Sequence, residues 1–247
     1  MSFHIALTGA LPALLAMWYF DRLDAKRPEP IWTLRKVALA GALSVAPVVA
    51  LGLLLLSVAP PVGSYARALY ESFVVAAGVE ELAKLLVVYW LVWGRPEFDE
   101  RMDGIVYATR AGLGFALVEN VIYLSSHLTA SGFLMTFFIR ALLAVPGHAI
   151  WAGIMGYCAA KRRFDHTGPG LIGGYLIAVF LHGAYDAAIF LGPPLRADGY
   201  QSASLMLLLV LPLVVVGGGL VLRALMRSAL AHDDLAERLG RSPSERA

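Results

Sequence analysis

The chain has a single cysteine, Cys158, among its 247 residues. No intrachain disulfide can form, and no thiolate cluster is available for a structural zinc site. Within its apolar stretch Cys158 reads as a small buried hydrophobe. Charge is scarce as well. Asp, Glu, Lys and Arg make up 15% of the residues, where a water-soluble domain carries about 25%. Hydrophobic residues reach 59%, and the mean hydropathy is +0.69. That balance excludes an ordinary soluble surface and leaves a polytopic membrane protein. The net charge of +2 lies in the connections and forms no basic stripe, so nucleic acid is excluded as a partner. No Gly-x-Ser-x-Gly element supports a serine nucleophile, and no His-Glu-x-x-His pair marks a zinc helix. Tandem repeats, low-complexity tracts and evident inverted repeats are also missing.

What is present is a succession of apolar stretches. A helix needs about 20 such residues to cross the hydrocarbon core. Stretches of that kind cover 3–20, 37–59, 67–93, 104–125, 132–160, 169–191 and 203–226. The expected architecture is therefore all-α, a transmembrane bundle of about seven spans forming one membrane domain over 1–247. The first stretch has no basic n-region and no clear cleavage site, which makes it a retained helix and not a signal peptide. The fifth is long and carries Pro146-Gly147 near its middle, where a tilt or break is expected. Basic residues collect in alternate connections: Arg22, Lys26, Arg27, Arg35 and Lys36 in 21–36, then Arg95 and Arg101, then Lys161 to Arg163, then the tail from Arg223 onward. The other side holds Arg67 and Arg196. The positive-inside bias then predicts a multi-pass protein of the bacterial inner membrane, with the amino terminus outside and the carboxyl terminus cytoplasmic. The mixed-charge connection 21–36 and tail 227–247 are expected to be interfacial or disordered.

Against this background the ionisable residues inside spans stand out, because a charge at bilayer depth costs at least about 2.5 kcal/mol. Span three carries Glu80, Glu81 and Lys84; span four carries Glu119 and Asn120, with Tyr123 one turn on. Span five carries Arg140 and His148, and span six His182 and Asp186. Glu80 and Lys84 are i,i+4, Glu81 and Lys84 are i,i+3, and His182 and Asp186 are i,i+4, so each set shares a helix face. Groups that cannot face lipid must face one another, so spans three to six are expected to converge on one polar cavity. Gly112, Gly114, Ala116, Gly153 and Gly156 would permit close helix approach. Arg110 is expected to snorkel, and Arg140 either to pair with an acid or to snorkel. Tyr185, Trp90 and Trp93 read as packing or interfacial aromatics. Three chemistries fit the set. A carboxylate and imidazoles can activate water at a carbonyl. Glu119, His148, His182 and Asp186 can hold a metal such as zinc, with Glu80 or Glu81 as base. A proton pathway in a transporter uses the same residue types.

Taken together, Glu80-Glu81-x-x-Lys84, Asp103-Gly104, Gly112-Leu-Gly114-Phe115-x-x-x-Glu119-Asn120, His148-Ala149 and His182-x-x-x-Asp186 resemble the PrsW family of bacterial intramembrane proteases, over about residues 70–190. The wider group is similar to the CAAX-prenyl endopeptidases, where arginine ends the double-glutamate motif and histidine replaces Glu119. Lys84 and Glu119 follow the PrsW version, which argues against prenylated substrates. The resemblance implies cleavage of a single-span membrane protein, typically an anti-sigma factor in a stress response, near the extracytoplasmic face. It implies Glu80 and Glu81 as the catalytic glutamates. His148 and His182 would activate water or stabilise the oxyanion, and Asp186 would orient or ligate. Lys84, Glu119 and Asn120 support them. Both glutamic and metal-dependent assignments exist for the family. The motif spacing compels no metal, so no cofactor is favoured and zinc stays open. The catalytic core is expected over about 67–191. The alternatives are a non-catalytic scaffold on the same bundle, as the similar Aph subunit of gamma-secretase illustrates, and a proton-coupled transporter. The intact acid and histidine set favours the enzyme.

Overall fold

The computed structural model describes residues 3–126 and 129–240, and among them every regular element is helical. Seven long rods follow one another. They are α1 (Phe3–Leu23), α2 (Ile31–Leu56), α3 (65–91), α4 (Arg101–Ser125), α5 (Ala130–Asp165), α6 (Gly170–Ala197) and α7 (Gln201–Arg238). By length and composition α2, α4, α5, α6 and α7 suffice to cross a membrane. α1 and α3 match the required length, and α3 carries Glu80, Glu81 and Lys84 inside it. The all-helical bundle of about seven spans is as expected from the apolar stretches.

Two rods change gauge along their length. α3 is α-helical over Tyr65–Tyr70, π-helical over Glu71–Gly78 and α-helical again over Val79–Leu91. α5 is α-helical over Ala130–Ile139, π-helical over Arg140–Ala144 and α-helical over Val145–Asp165. The anticipated break at Pro146-Gly147 is absent. Pro146 opens the last α-helical stretch, where its missing N–H costs least, and the irregularity lies just upstream as a widened turn. Each π-helical stretch ends a few residues before a polar residue of the candidate site, Glu80 in α3 and His148 in α5. π turns are rare and concentrate at such places.

α4 is the central post. It packs against α1, α2, α5 and α7, and most of its first sixteen residues are buried. Its approach to α5 is backbone to backbone. A Cβ at Gly104 would lie 2.5 Å from the Gly156 carbonyl oxygen, and one at Gly112 would lie 2.7 Å from the His148 carbonyl oxygen. This close contact sets how far His148 stands from the acids on α4.

At the end where the basic connections gather, the rods are tied together. Asp233 of α7 is fully buried and accepts hydrogen bonds from the backbone N–H groups of Arg101 and Met102, both at 3.1 Å, and from the Arg101 guanidinium at 2.9 Å. It thus satisfies free amides in the first turn of α4 and meets the positive end of that helix dipole. Lys26 reaches Asp234 at 2.7 Å and Arg27 reaches Glu237 at 2.8 Å. Of the expected interfacial or disordered 21–36 connection and 227–247 tail, disorder is corrected for much of their described length: α2 already begins at Ile31 and α7 runs to Arg238. Residues 241–247 lie outside the described residues. Arg110 also departs from expectation. It is 8% exposed and paired with Asp21 of α1, because the α1 end brings a carboxylate within reach.

Near the same end, in the connections before α2 and α4, two buried carboxyls sit among like charges. Burial, with Glu29 next, raises Asp24 to about 7. Burial, with Asp233 next, raises Glu100 to about 8 despite Arg27. A raised folded-state carboxyl favours folding while protonated, and that contribution is lost as pH climbs from the usual carboxylate range through the folded value. Thermal stability in detergent should therefore fall between about pH 5 and about pH 8.5. Glu100→Gln should melt above wild type at the alkaline end and level with it at the acid end. A flat wild-type profile over that window would refute the link.

Candidate active site

The polar residues of spans three to six meet in one buried network. Lys84, fully buried, is its hub. Its Nζ donates to Glu81 Oε1 at 2.6 Å and to His148 Nδ1 at 2.7 Å, stands 3.8 Å from Glu80 Oε2, and lies 4.8 Å above the Phe115 ring. An ammonium has only donors, so His148 Nδ1 must accept. The proton of a neutral His148 then sits on Nε2, which donates to Glu119 Oε2 at 2.8 Å. Arg140 donates to the same oxygen at 2.7 Å and to Asn120 Oδ1 at 2.5 Å, and lies 4.0 Å from the Tyr123 ring centroid. Asn120 in turn donates to the Gly9 carbonyl of α1 at 3.2 Å. The open question about Arg140 resolves as an ion pair.

His182 closes the other side. Its Nδ1 meets Glu81 Oε1 at 2.8 Å, and its Nε2 faces Asp186 Oδ2 at 3.3 Å and Glu80 Oε2 at 3.9 Å. Glu81 Oε1 thus takes one hydrogen bond from Lys84 and one from His182. The Trp151 ring stacks on His182 with centroids 4.3 Å apart and planes at 16°, and Tyr185 borders Trp151 at 5.5 Å. The i,i+4 pairing read for Glu80 and Lys84 is the longer contact; the i,i+3 partner Glu81 holds the lysine.

A cavity of about 330 Å³ opens on this network. Glu80, Glu119, Arg140, His148, His182 and Asp186 line it, with Trp151, Tyr123 and Tyr185 as aromatic walls. Glu81 and Lys84 are 0% exposed and stand behind that wall. Adjacent glutamates therefore occupy unlike positions: Glu80 fronts the cavity and Glu81 braces the residues behind it. Glu80 Oε2 and Glu81 Oε2 are buried without a hydrogen-bond partner among the described residues.

Donor atoms of Glu80, His148 and His182 lie within 4.8 Å of one another, the spacing a metal ion requires. Two imidazoles and one carboxylate form a donor set of the kind found at catalytic zinc. Glu80 Oε2, without a hydrogen bond among the described residues, faces His182 Nε2 at 3.9 Å, while His182 Nδ1 is held by Glu81, the carboxylate support expected behind a ligating histidine. The residues fit the group once His148 exchanges its bond to Lys84 or to Glu119 for the ion. The cluster differs from the expected quartet of Glu119, His148, His182 and Asp186 by including Glu80, while Glu119 accepts hydrogen bonds from Arg140 and His148. Trp151 is a site residue absent from the sequence motifs, and Arg140 one whose role the sequence leaves open. An arginine at bilayer depth was the signal for one, and a tryptophan three residues past His148 for the other.

Comparison with known proteins places the chain in a family. Residues 29–217 match the family described as PrsW family intramembrane metalloprotease. The chain is 36% identical over 186 residues to Protease PrsW of Geobacillus kaustophilus (strain HTA426), covering 74% of this chain and 79% of that protein. It is 31% identical over 187 residues to Protease PrsW of Bacillus subtilis (strain 168), covering 74% and 82%. With Protease PrsW of Clostridioides difficile (strain 630) the identity is 32% over 190 residues, covering 75% and 79%. No solved structure matches the chain. A buried acid and histidine network in a helical membrane bundle, and a family match over most of its length, lead to one conclusion: this chain belongs to the PrsW family of intramembrane proteases.

Proposed function

We propose that this protease cleaves a single-span membrane protein of the anti-sigma type near the extracytoplasmic face, at the cavity between α3, α4, α5 and α6. One observation carries the reading: Glu80 presents a buried carboxylate oxygen that accepts no hydrogen bond among the described residues to a cavity also lined by two histidines and an arginine. In the proposed step Glu80 takes a proton from water as the oxygen attacks the scissile carbonyl. The Arg140 guanidinium, which holds Asn120 and Glu119 through two of its nitrogens and keeps further N–H groups, is the cavity donor for the developing oxyanion. His182, oriented by Glu81 and neighbouring Asp186, keeps Glu80 in place. Glu81 and Lys84 act as positioning residues, and Asn120 holds Arg140.

The side of cleavage follows from the charges. The basic end is read as cytoplasmic. The cavity is bordered by Thr136 and Ile139 early in α5 and by Ile189 and Phe190 late in α6, both remote along their rods from Asp165 and Gly170 at the basic end.

A second reading has its own support in the donor cluster of Glu80, His148 and His182. These three would hold a divalent ion such as zinc, which would supply Lewis-acid polarisation and an acidified water. Asp186 would then be the cavity carboxylate left to accept the proton. The discriminating experiment is cleavage of single-span reporters by purified protein in detergent, with and without a zinc chelator, beside His182→Ala. We expect His182→Ala to lose cleavage by at least about a hundredfold. Chelator-resistant cleavage supports the glutamate reading, and chelator-sensitive cleavage restored by zinc supports the metal one. Full activity in His182→Ala refutes both.

A further inference from the structure

A second and larger cavity, about 810 Å³, lies between α1, α5 and α7 on the opposite side of α5 from the candidate active site. The two do not share walls. Within about two turns of α5, Ala144, His148 and Trp151 face the active-site cavity, whereas Pro146, Ala149 and Ile150 face the groove. The groove is apolar along most of its length, through Leu15, Ile150, Val216 and Leu220, and two arginines of α7, Arg223 and Arg227, line one end. They are i,i+4 and so project from one helix face. Both are exposed, and neither has an ion pair or side-chain hydrogen bond among the described residues. No carboxylate lines the groove. The arginines packed inside the bundle, Arg101, Arg110 and Arg140, are by contrast each matched to an acid.

The depth of the pair is fixed by packing. A Cβ at Gly153 would meet Leu222 Cδ1 at 2.9 Å and Thr109 Cγ2 at 3.0 Å, so Leu222 and Thr109 share a level. Arg223 follows Leu222, and Arg110 follows Thr109 and pairs with Asp21 at the end of α1. Arg223 therefore stands near the level of Arg110 and Asp21, where charged residues succeed the apolar run of α7. We propose that the groove is a binding site for one anionic phospholipid, its phosphate held between Arg223 and Arg227 and an acyl chain running along Ile150 and Leu220. Two unpaired guanidiniums over an apolar slot complement a phosphate on a hydrocarbon chain. A substrate helix is the poorer fit, because in the groove it would be separated from Glu80 by the thickness of α5.

The test uses the full chain reconstituted into nanodiscs of phosphatidylcholine containing phosphatidylglycerol, extracted gently, with retained lipid identified by native mass spectrometry. Wild type should retain phosphatidylglycerol in preference to phosphatidylcholine. Arg223→Gln/Arg227→Gln should lower that retention by roughly 30-fold. Gly219→Leu fills the slot while leaving both arginines, and its Cβ would meet only Ile150 Cδ1 at 3.6 Å, so the fold tolerates it. It should lose the lipid equally. Gly217→Leu, where a Cβ meets nothing within 4 Å and which does not line the groove, should keep it. Equal retention of both lipids by wild type, or unchanged retention in the arginine variant, overturns the proposal. So does an outcome in which Gly219→Leu leaves the lipid bound and instead blocks access of a cross-linkable substrate span or dissociates a dimer.

Discussion

Glu80→Gln and Glu81→Gln, though neighbours and chemically identical changes, should fail in different ways. Glutamine keeps the volume of glutamate, so Glu80→Gln leaves the cavity wall intact. Its amide cannot take a proton from water, and cleavage of a single-span reporter should fall by about 10²- to 10⁴-fold. Melting of the detergent-solubilised protein should change little, since Glu80 Oε2 has no hydrogen-bond partner to lose. Glu81→Gln removes the charge that faces Lys84 Nζ at 2.6 Å, with both groups fully buried. Breaking one half of a buried pair costs about 3–5 kcal/mol, because the remaining charge is stranded. That variant should be inactive and markedly less stable, and Lys84→Met/Glu81→Gln, which removes both charges, should recover much of the stability without the activity. Activity and melting temperature measured together on the three variants decide the matter. A Glu80→Gln enzyme with wild-type turnover would remove Glu80 from the chemistry, and an unperturbed Glu81→Gln melt would remove Glu81 from its bracing role.

The second large effect should come from a residue with no side chain. A Cβ at Gly156 would lie 1.9 Å from the Gly104 carbonyl oxygen and 2.6 Å from Ala108 Cβ. The obstacle is backbone, which cannot rotate aside. Gly156→Ala must separate α4 from α5, and overpacking of this kind costs on the order of 3 kcal/mol. Gly156→Leu should yield no folded protein in detergent. Gly217→Ala, in open space, should match wild type within about 0.5 kcal/mol. Normal expression and melting of Gly156→Leu would mean that the two rods do not touch as described. Because His148 sits on α5 with its own carbonyl pressed toward Gly112, Gly156→Ala should also weaken cleavage more than its stability loss alone explains.

Much of this was legible in the residues themselves. Each apolar stretch became a rod, because bilayer thickness and backbone hydrogen bonding leave a chain of this composition few alternatives. The polar residues at depth converged for the same reason: a charge excluded from lipid must find a partner. Which partner it found was not legible. Glu119 answers to Arg140, twenty-one residues on, and Lys84 to His148, sixty-four residues on; those choices depend on the relative rotation of rods. Asp233 was harder still. In sequence it belongs to a mixed-charge tail that reads as solvated, and only the fold reveals that it caps α4. Arg110 and the donor cluster built on Glu80 were misjudged by the same blindness to rotation and to contacts between distant segments.

The two widened turns have an angular consequence. An α-helix advances about 100° per residue, and a π turn, with its i→i+5 bonds, advances less per residue, so everything beyond it is rotated back relative to an unbroken α-helix. The face on which Glu80 and Lys84 stand is therefore out of phase with a wheel drawn forward from Tyr65, and the face of His148 with one drawn from Ala130. Were both rods α-helical throughout, the same residues at the same heights would aim in other directions, and the acids and imidazoles would miss one another. Aim is thus decoupled from depth in this bundle: the apolar run fixes how deep a polar group lies, and the gauge of the helix before it fixes which way it faces.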